Sequence, residues 1–330
     1  AMPQPSYAYA CARLSALNKR LIEPQTIQRM LDGTASDAMR ALSDVRYGNL
    51  SDATEADVER MIEREMTDAM QEVRELSPDP AITDLYLLRA DVQNLKVLLK
   101  ARLLNQNESA FTPGGLFDRE TLTAYVKEKQ YGALPKIIGD ALNTLEKRLE
   151  IRVEPRMISI ALDRAYLEHA LKQSEKHPVF SQYFRSMADF DNVLTFLRLR
   201  AMGASIETLD EVILPEGGVK YRDLYNAYEL SFDSLNKVLG ESVCREALLA
   251  GLNAMQRTGS IAEVEKARDN YLVSLLSEHK FENETIYPIV GYYLAKEREG
   301  RAIRLVITGK RNGIGDSVIR ERLVKLYGER

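Results

Sequence analysis

One pattern recurs three times along the chain and limits what it can fold into. Asp91, Asn94 and Arg102 frame an apolar run, and Asp189, Asn192 and Arg200 frame another with the same spacing. Glu299 and Lys310 frame a third, with Ala302 where the other two carry an amide. In each, the acid leads, a small or amide residue follows three later, and a cation closes the run eleven after the acid. Each run is followed by a glycine-bearing turn (Pro113-Gly114-Gly115, Gly217-Gly218, Asn312-Gly313) and a second helix-like stretch, over 116–127, 219–230 and 314–327. The acids lie 98 and then 110 residues apart, far beyond the roughly 20–50-residue periods of solenoids and propellers. Three copies of one helical module with pseudo-threefold symmetry are expected.

The rest of the chain supports an all-α fold. Val58, Met61, Ile62, Met66, Ala69, Met70 and Val73 follow a helical period, with Glu59, Arg60, Glu63 and Arg64 on the other face. Thr54 with Asp57 three residues on reads as a loose capping box. Ser77-Pro78-Asp79-Pro80 ends that helix, because proline cannot continue the hydrogen-bond ladder. The repeated long helices are expected over 81–105, 178–202 and 283–307, with Pro288 near the start of the last, where a missing N–H is harmless. The β-branched runs at 212–214 and 305–307 are short and sit inside helical patterns. The expected modules are 1–133, 134–232 and 233–330. The first holds about six helices, with extra ones at 7–20, 25–32 and 36–42, and the other two hold four each.

A chain of 330 residues is long for one core, so two or three units are expected. The net charge of −4 supplies no global basic field to recruit nucleic acid. The charge is unevenly placed: residues 44–79 hold 11 acids against 4 arginines, and residues 296–311 hold 6 cations against 2 acids. Such asymmetry suits a protein bridging different partners, or simply a solvated helix face. Cys11 and Cys244 are too few for a disulfide framework or metal site, read as small core residues, and fit a reducing setting. No apolar run approaches the ~18 residues of a membrane span, and no signal peptide is visible. Ala1 ahead of Met2 reads as an expression scar.

On a helix at about 100° per residue, Asp91, Leu98 and Arg102 fall on one stripe, as do Asp189, Phe196 and Arg200, and Glu299, Val306 and Lys310. The two charges of a stripe stand ~16 Å apart, too far to pair with each other. Either they cap and register the packing of the modules, or they line a surface offered to another protein. Catalytic patterns are poor. His169, His177 and His279 lack the spacing of a zinc helix. Gly309-Lys310-Arg311 lacks the first glycine and the Ser/Thr of a phosphate loop, and Gly313-Ile-Gly315 is only a turn. There is no Asp-rich array for a magnesium–diphosphate site and no Gly-x-Ser-x-Gly. The tyrosines and methionines fall mostly on apolar stripes and read as core.

Several segments resemble a known family. They are the stretch 87–102 around Asp91 and Asn94; above all Tyr292-Tyr-Leu-Ala-Lys296-Glu-Arg-Glu299-Gly-Arg-Ala-Ile-Arg304-Leu-Val-Ile-Thr-Gly309-Lys310-Arg311-Asn312; and the opening Tyr7-Ala-Tyr-Ala-Cys-Ala-Arg13 with Leu14. They are similar to the C subunits of prokaryotic V/A-type ATP synthases, the counterparts of the d subunit of eukaryotic vacuolar ATPases. The likeness extends over essentially the whole chain, although the family usually carries asparagine where Ala302 stands. The resemblance implies a funnel-shaped, all-α protein of three modules. It implies a non-catalytic place in the rotor, between the membrane proteolipid (c/K) ring and the central shaft of the D and F subunits, on the cytoplasmic face. It implies no cofactor, metal, nucleic acid or small-molecule substrate. By analogy the partner-binding candidates are Asp91, Asn94, Lys96, Arg102, Asp189, Asn192, Arg200, Glu299, Arg304, Lys310 and Arg311. The competing readings are a helical protein-binding scaffold unrelated to a motor, and an all-α enzyme, which requires a deep pocket with convergent ionisable groups.

Overall fold

The structure, a computed structural model, describes residues 4–45, 47–50, 52–107 and 110–327. Ala1 and Met2 lie outside them. Among the described residues every regular element is helical. In chain order these are α1 (Tyr7–Asn18), α2 (Pro24–Asp32), α3 (Ala35–Asp44), α4 (Glu55–Leu76), α5 (Pro80–Leu104), α6 (Arg119–Glu128), α7 (Lys136–Ile151) and α8 (Pro155–Gln173). They continue as α9 (Pro178–Ala201), α10 (Glu207–Val212), α11 (Tyr221–Ala227), α12 (Phe232–Val238), α13 (Arg245–Thr258), α14 (Ala262–Ser277), α15 (Tyr287–Arg311) and α16 (Asp316–Arg322).

Local chemistry sets most of these boundaries. Proline stands in the first turn of α2, α8, α9 and α15, where its fixed φ fits and its missing N–H costs nothing. Thr54 and Asp57 form a complete capping box at α4, and Thr34 and Asp37 form another at α3. The last long helix is displaced about one turn C-terminally from the sequence expectation. Pro288 pins its start, and Gly309 lies within its last turn, where the Ile319 side chain packs against it. The sequence expectation omits α10 and α12, which are one or two turns long and too short to show a period. Ile213 leaves α10 in extended backbone, so the β-branched run at 212–214 ends a helix rather than forming a strand.

The chain divides into two compact units, one comprising residues 1–86 with 273–330, the other Leu87–Leu272. The expected cuts after 133 and 232 both fall inside the second unit. In that unit Phe190, Leu194 and Phe196 of α9 share a core with Leu224, Leu239, Leu248 and Val264, all nearly inaccessible. Both cysteines are buried and free. In the first unit α15 is the central helix, buried nearly all round and packed by α1, α2, α3, α4 and α16. A helix buried on all faces must pair any charge it carries, and α15 buries Lys296, Arg298 and Glu299.

Candidate functional site

Asp91 is fully buried on α5. Its carboxylate accepts the backbone N–H of Leu116 at 2.7 Å and of Phe117 at 3.1 Å, just ahead of α6. Asn94 exchanges two bonds with the backbone of Thr112, donating at 2.9 Å and accepting at 2.7 Å. Gly115 is required here, since a Cβ would collide with the Asp91 carboxylate. The same clamp stands on α9. Asp189 accepts the N–H of Gly218 at 3.0 Å and of Val219 at 2.9 Å, ahead of α11, together with the Ser242 hydroxyl. Asn192 exchanges bonds with the Leu214 backbone at 3.2 and 2.8 Å, and a Cβ at Gly217 would strike Asp189. Each acid therefore satisfies orphan amides before a helix and sits at the positive end of that helix.

The cations close the other end. Arg102 donates to the Val126 carbonyl in the last turn of α6 and grips Glu146 of α7 with one nitrogen at 2.8 and 2.7 Å. α6 has 10 residues, ~15 Å of helix, which matches the ~16 Å between Asp91 and Arg102 on α5. The eleven-residue spacing thus measures a short helix clamped at both ends. Glu146 also accepts the Tyr131 hydroxyl. Burial disfavours the Arg102 charge, but Glu146 outweighs it and raises the guanidinium above its ordinary range. Arg200 donates to the Leu230 carbonyl at 2.8 Å, just past α11.

The third copy is completed from the opposite end of the sequence. Glu299 of α15, 2 % exposed, accepts the backbone N–H of Ile22, two residues before the first residue of α2. Phe117 and Val219 stand at that position before α6 and α11. Glu299 also accepts the Tyr47 hydroxyl at 2.6 Å and binds Lys296 at 2.7 Å. Burial opposes the Lys296 charge, yet Glu299 and Glu65 (2.8 Å) hold its pKa above the ordinary value. No amide clamp accompanies this copy, because Ala302 occupies the position. Lys310 reaches Asp316 at the start of α16 at 3.0 Å, and Arg311 donates to the Ala53 carbonyl at 2.6 Å.

A further layer pairs each long helix with a neighbour. Lys96 and Arg304 both stand five residues after their acid. Lys96 binds Asp163 of α8, and Arg304 grips Glu59 of α4 at 2.7 and 2.8 Å. On α9, Asp191 holds Arg268 of α14 at 2.8 Å. The acidic run of α4 and the basic run of α15 therefore partly neutralise each other, through Glu59–Arg304 and Glu65–Lys296. A cavity of about 390 Å³ in the second unit has Lys96–Asp163 and Arg268–Asp191 on its wall. Those four groups face it as mutually neutralised pairs, and Arg198, also on the wall, is paired with Glu265 outside it. Among the described residues no group of three or more His, Cys, Asp or Glu side chains is placed to hold a metal. No helix of the described chain is long and apolar enough to cross a membrane.

All eleven candidates thus bond within the chain. Asp91, Asn94, Asp189, Asn192 and Glu299 are inaccessible, while Arg304 keeps 42 % of its side chain exposed. Glu146, Ser242, Ile22, Tyr47, Glu59 and Glu65 escape sequence reasoning. The glycines at 115 and 217 are the one signal that points to the receiving loops. The histidines take helix-end or half-buried places: His177 precedes α9, and His279 follows α14 and meets Glu282 at 2.5 Å. His169 lies within α8, its pKa lowered by burial.

Residues 10–322 match the family model described as ATP synthase (C/AC39) subunit. The chain is 23% identical over 312 residues to the C subunit of the V-type sodium ATPase of Enterococcus hirae, covering 93% of this chain and 94% of the relative. It is 23% identical over 356 residues to the C subunit of the A-type ATP synthase of Methanocaldococcus jannaschii, covering 97% and 86%. With the corresponding A-type C subunit of Haloferax volcanii it shares 26% identity over 259 residues, 73% of each chain.

Proposed function

Because the chain belongs to the ATP synthase (C/AC39) subunit family, we propose that it is the non-catalytic rotor adaptor of a V/A-type complex. In this reading it links the central shaft of the D and F subunits to the membrane proteolipid ring on the cytoplasmic face. It passes torque between ion flow and ATP synthesis or hydrolysis and performs no chemistry of its own.

The observation that carries the reading is the clamp repeated on the long helices. A torque-bearing body needs helices that cannot slide past one another. A buried carboxylate fixed to backbone amides resists sliding, because a one-residue shift strands a charge in a low-dielectric interior. The inaccessible members of the stripe then act by fixing loop positions. The partner contacts fall to those with surface left, Arg200, Arg304 and Arg311, together with the exposed quarter of Arg102.

The test is reconstitution of the full chain with the D and F subunits and the proteolipid ring of its own complex. Co-purification of one defined assembly is the expected result. A chain that stays free, while the D and F subunits still bind each other and the ring stays intact, favours the scaffold reading instead.

A further inference from the structure

One carboxylate holds two distant points of the N-terminal segment. The Glu299 Oε1 receives the Ile22 N–H, between α1 and α2, and Oε2 receives the Tyr47 hydroxyl, beyond α3. The α2–α3 pair is thus pinned at both of its ends to a single side chain of α15. The pair has integrity of its own. α2 and α3 pack chiefly on each other, bury Ile27, Met30, Leu31, Ala38, Met39 and Leu42, and α3 carries its own capping box. Beyond its packing on α15, the pair is tied more loosely. Arg320 of α16 reaches Gln28 at 2.7 Å and Asp32 at 2.9 Å, through an ion pair whose side chains are 42% and 59% exposed. Exposed pairs of this kind hold weakly. The equivalent helix α6 has its C-terminal turn locked by Arg102, with only a quarter of that side chain exposed.

We propose that the α2–α3 pair is a strap that opens from α15 as one unit, with Glu299 as its latch. Opening leaves the Leu87–Leu272 unit closed. Partial opening of a cooperative segment ahead of global unfolding is the behaviour expected where few strong ties hold a self-packed element. Lys296 keeps Glu65 as a partner when the latch is altered, so α15 need not unfold with it.

Native-state hydrogen exchange on the full chain, resolved by peptide, tests this. The amides of α2 and α3 are expected to share one opening, faster than that of α15 or α9. Glu299→Gln, which removes the charge and keeps the shape, raises exchange there by roughly ten- to a hundredfold, the equivalent of one charge-assisted bond. Tyr47→Phe removes the hydroxyl that donates to Glu299 and accepts from Lys296 at 3.4 Å, leaves the Glu299–Lys296 pair in place, and produces a smaller rise confined to the same peptides. Asp189→Asn, the equivalent change on α9, leaves α2 and α3 unmoved. The proposal is overturned if α2 and α3 exchange together with α15 in the wild-type chain. It is equally overturned if Glu299→Gln speeds exchange uniformly, or if neither latch variant changes it.

Discussion

The clamps of the Leu87–Leu272 unit and the clamp of the other unit use the same chemistry under different chain constraints. Asp91 and Asp189 receive amides 25 and 29 residues downstream, whereas Glu299 receives one 277 residues away. For a flexible chain, closing the longer loop costs about 2 kcal/mol more. The distant clamp is also the more heavily supported one. It recruits Tyr47 and Lys296 where the local clamps rely on an Asn amide and a glycine turn. The local clamps receive backbone amides, with the Ser242 hydroxyl added at Asp189; the one that joins the two ends of the sequence carries an ion pair as well.

The largest test of that contrast is Asp189→Ala. It strands two backbone amides and the Ser242 hydroxyl inside the fold. A loss of about 4 kcal/mol in urea-unfolding stability is expected. A loss below that from Glu299→Ala would show that sequence proximity does not weaken dependence on the acid. Arg102→Met comes next. Glu146 would keep Tyr131 and the more distant Lys129 at 3.7 Å but lose its close charged partner at 2.7 Å, and about 3 kcal/mol should go, since breaking one side of a largely buried pair is costly. If stability holds while assembly with partners fails, Arg102 faces outward in function.

The repeat itself was legible. Asp91–Asn94 and Asp189–Asn192 announce two copies of one arrangement, and their glycine turns mark the loops they seize. The all-α class and most helix positions followed from periodicity and proline placement. What the sequence concealed was the partner of Glu299, because Ile22 contributes only a backbone N–H, which every residue but proline owns. The glycine turn at Asn312-Gly313 drew attention to the wrong end of the chain. The charge imbalance between 44–79 and 296–311 was equally visible, but a pairing 245 residues long, such as Arg304–Glu59, has no local signature.

Glu299→Gln sharpens the comparison from the other side. Gln keeps a single carbonyl oxygen, enough for Ile22 or for Tyr47 but not both, and no longer balances Lys296, so about 2 kcal/mol is expected to be lost from the unit that contains it. Chemical denaturation followed by peptide-resolved exchange assigns the loss to that unit or to the other. Arg304→Met is a milder probe. Its pair with Glu59 is bidentate, but both side chains are more than 40% exposed, so a change of about 0.5 kcal/mol in unfolding free energy is expected. A much larger loss would mean that the α4–α15 ion pairs, rather than the Glu299 latch, dominate this unit.

The smallest effect distinguishes local caps from long-range clamps by pH. Backbone and side-chain bonds from Thr54 lower the Asp57 pKa from 3.8 to about 2, with Arg60 helping. The folded value lies below the unfolded one, so the stabilisation is complete above about pH 4 and drains away as pH falls through 2. The Asp57 carboxylate is open to solvent and belongs to a capping box, so only the first turn of α4 should respond. Amide chemical shifts of residues 54–58 followed from pH 5 to pH 2 should titrate together, and Asp57→Asn should abolish that titration while leaving the Glu299 latch intact. A simultaneous shift at Ile22 would instead tie the start of α4 to the latch, and the two kinds of contact would no longer be separable.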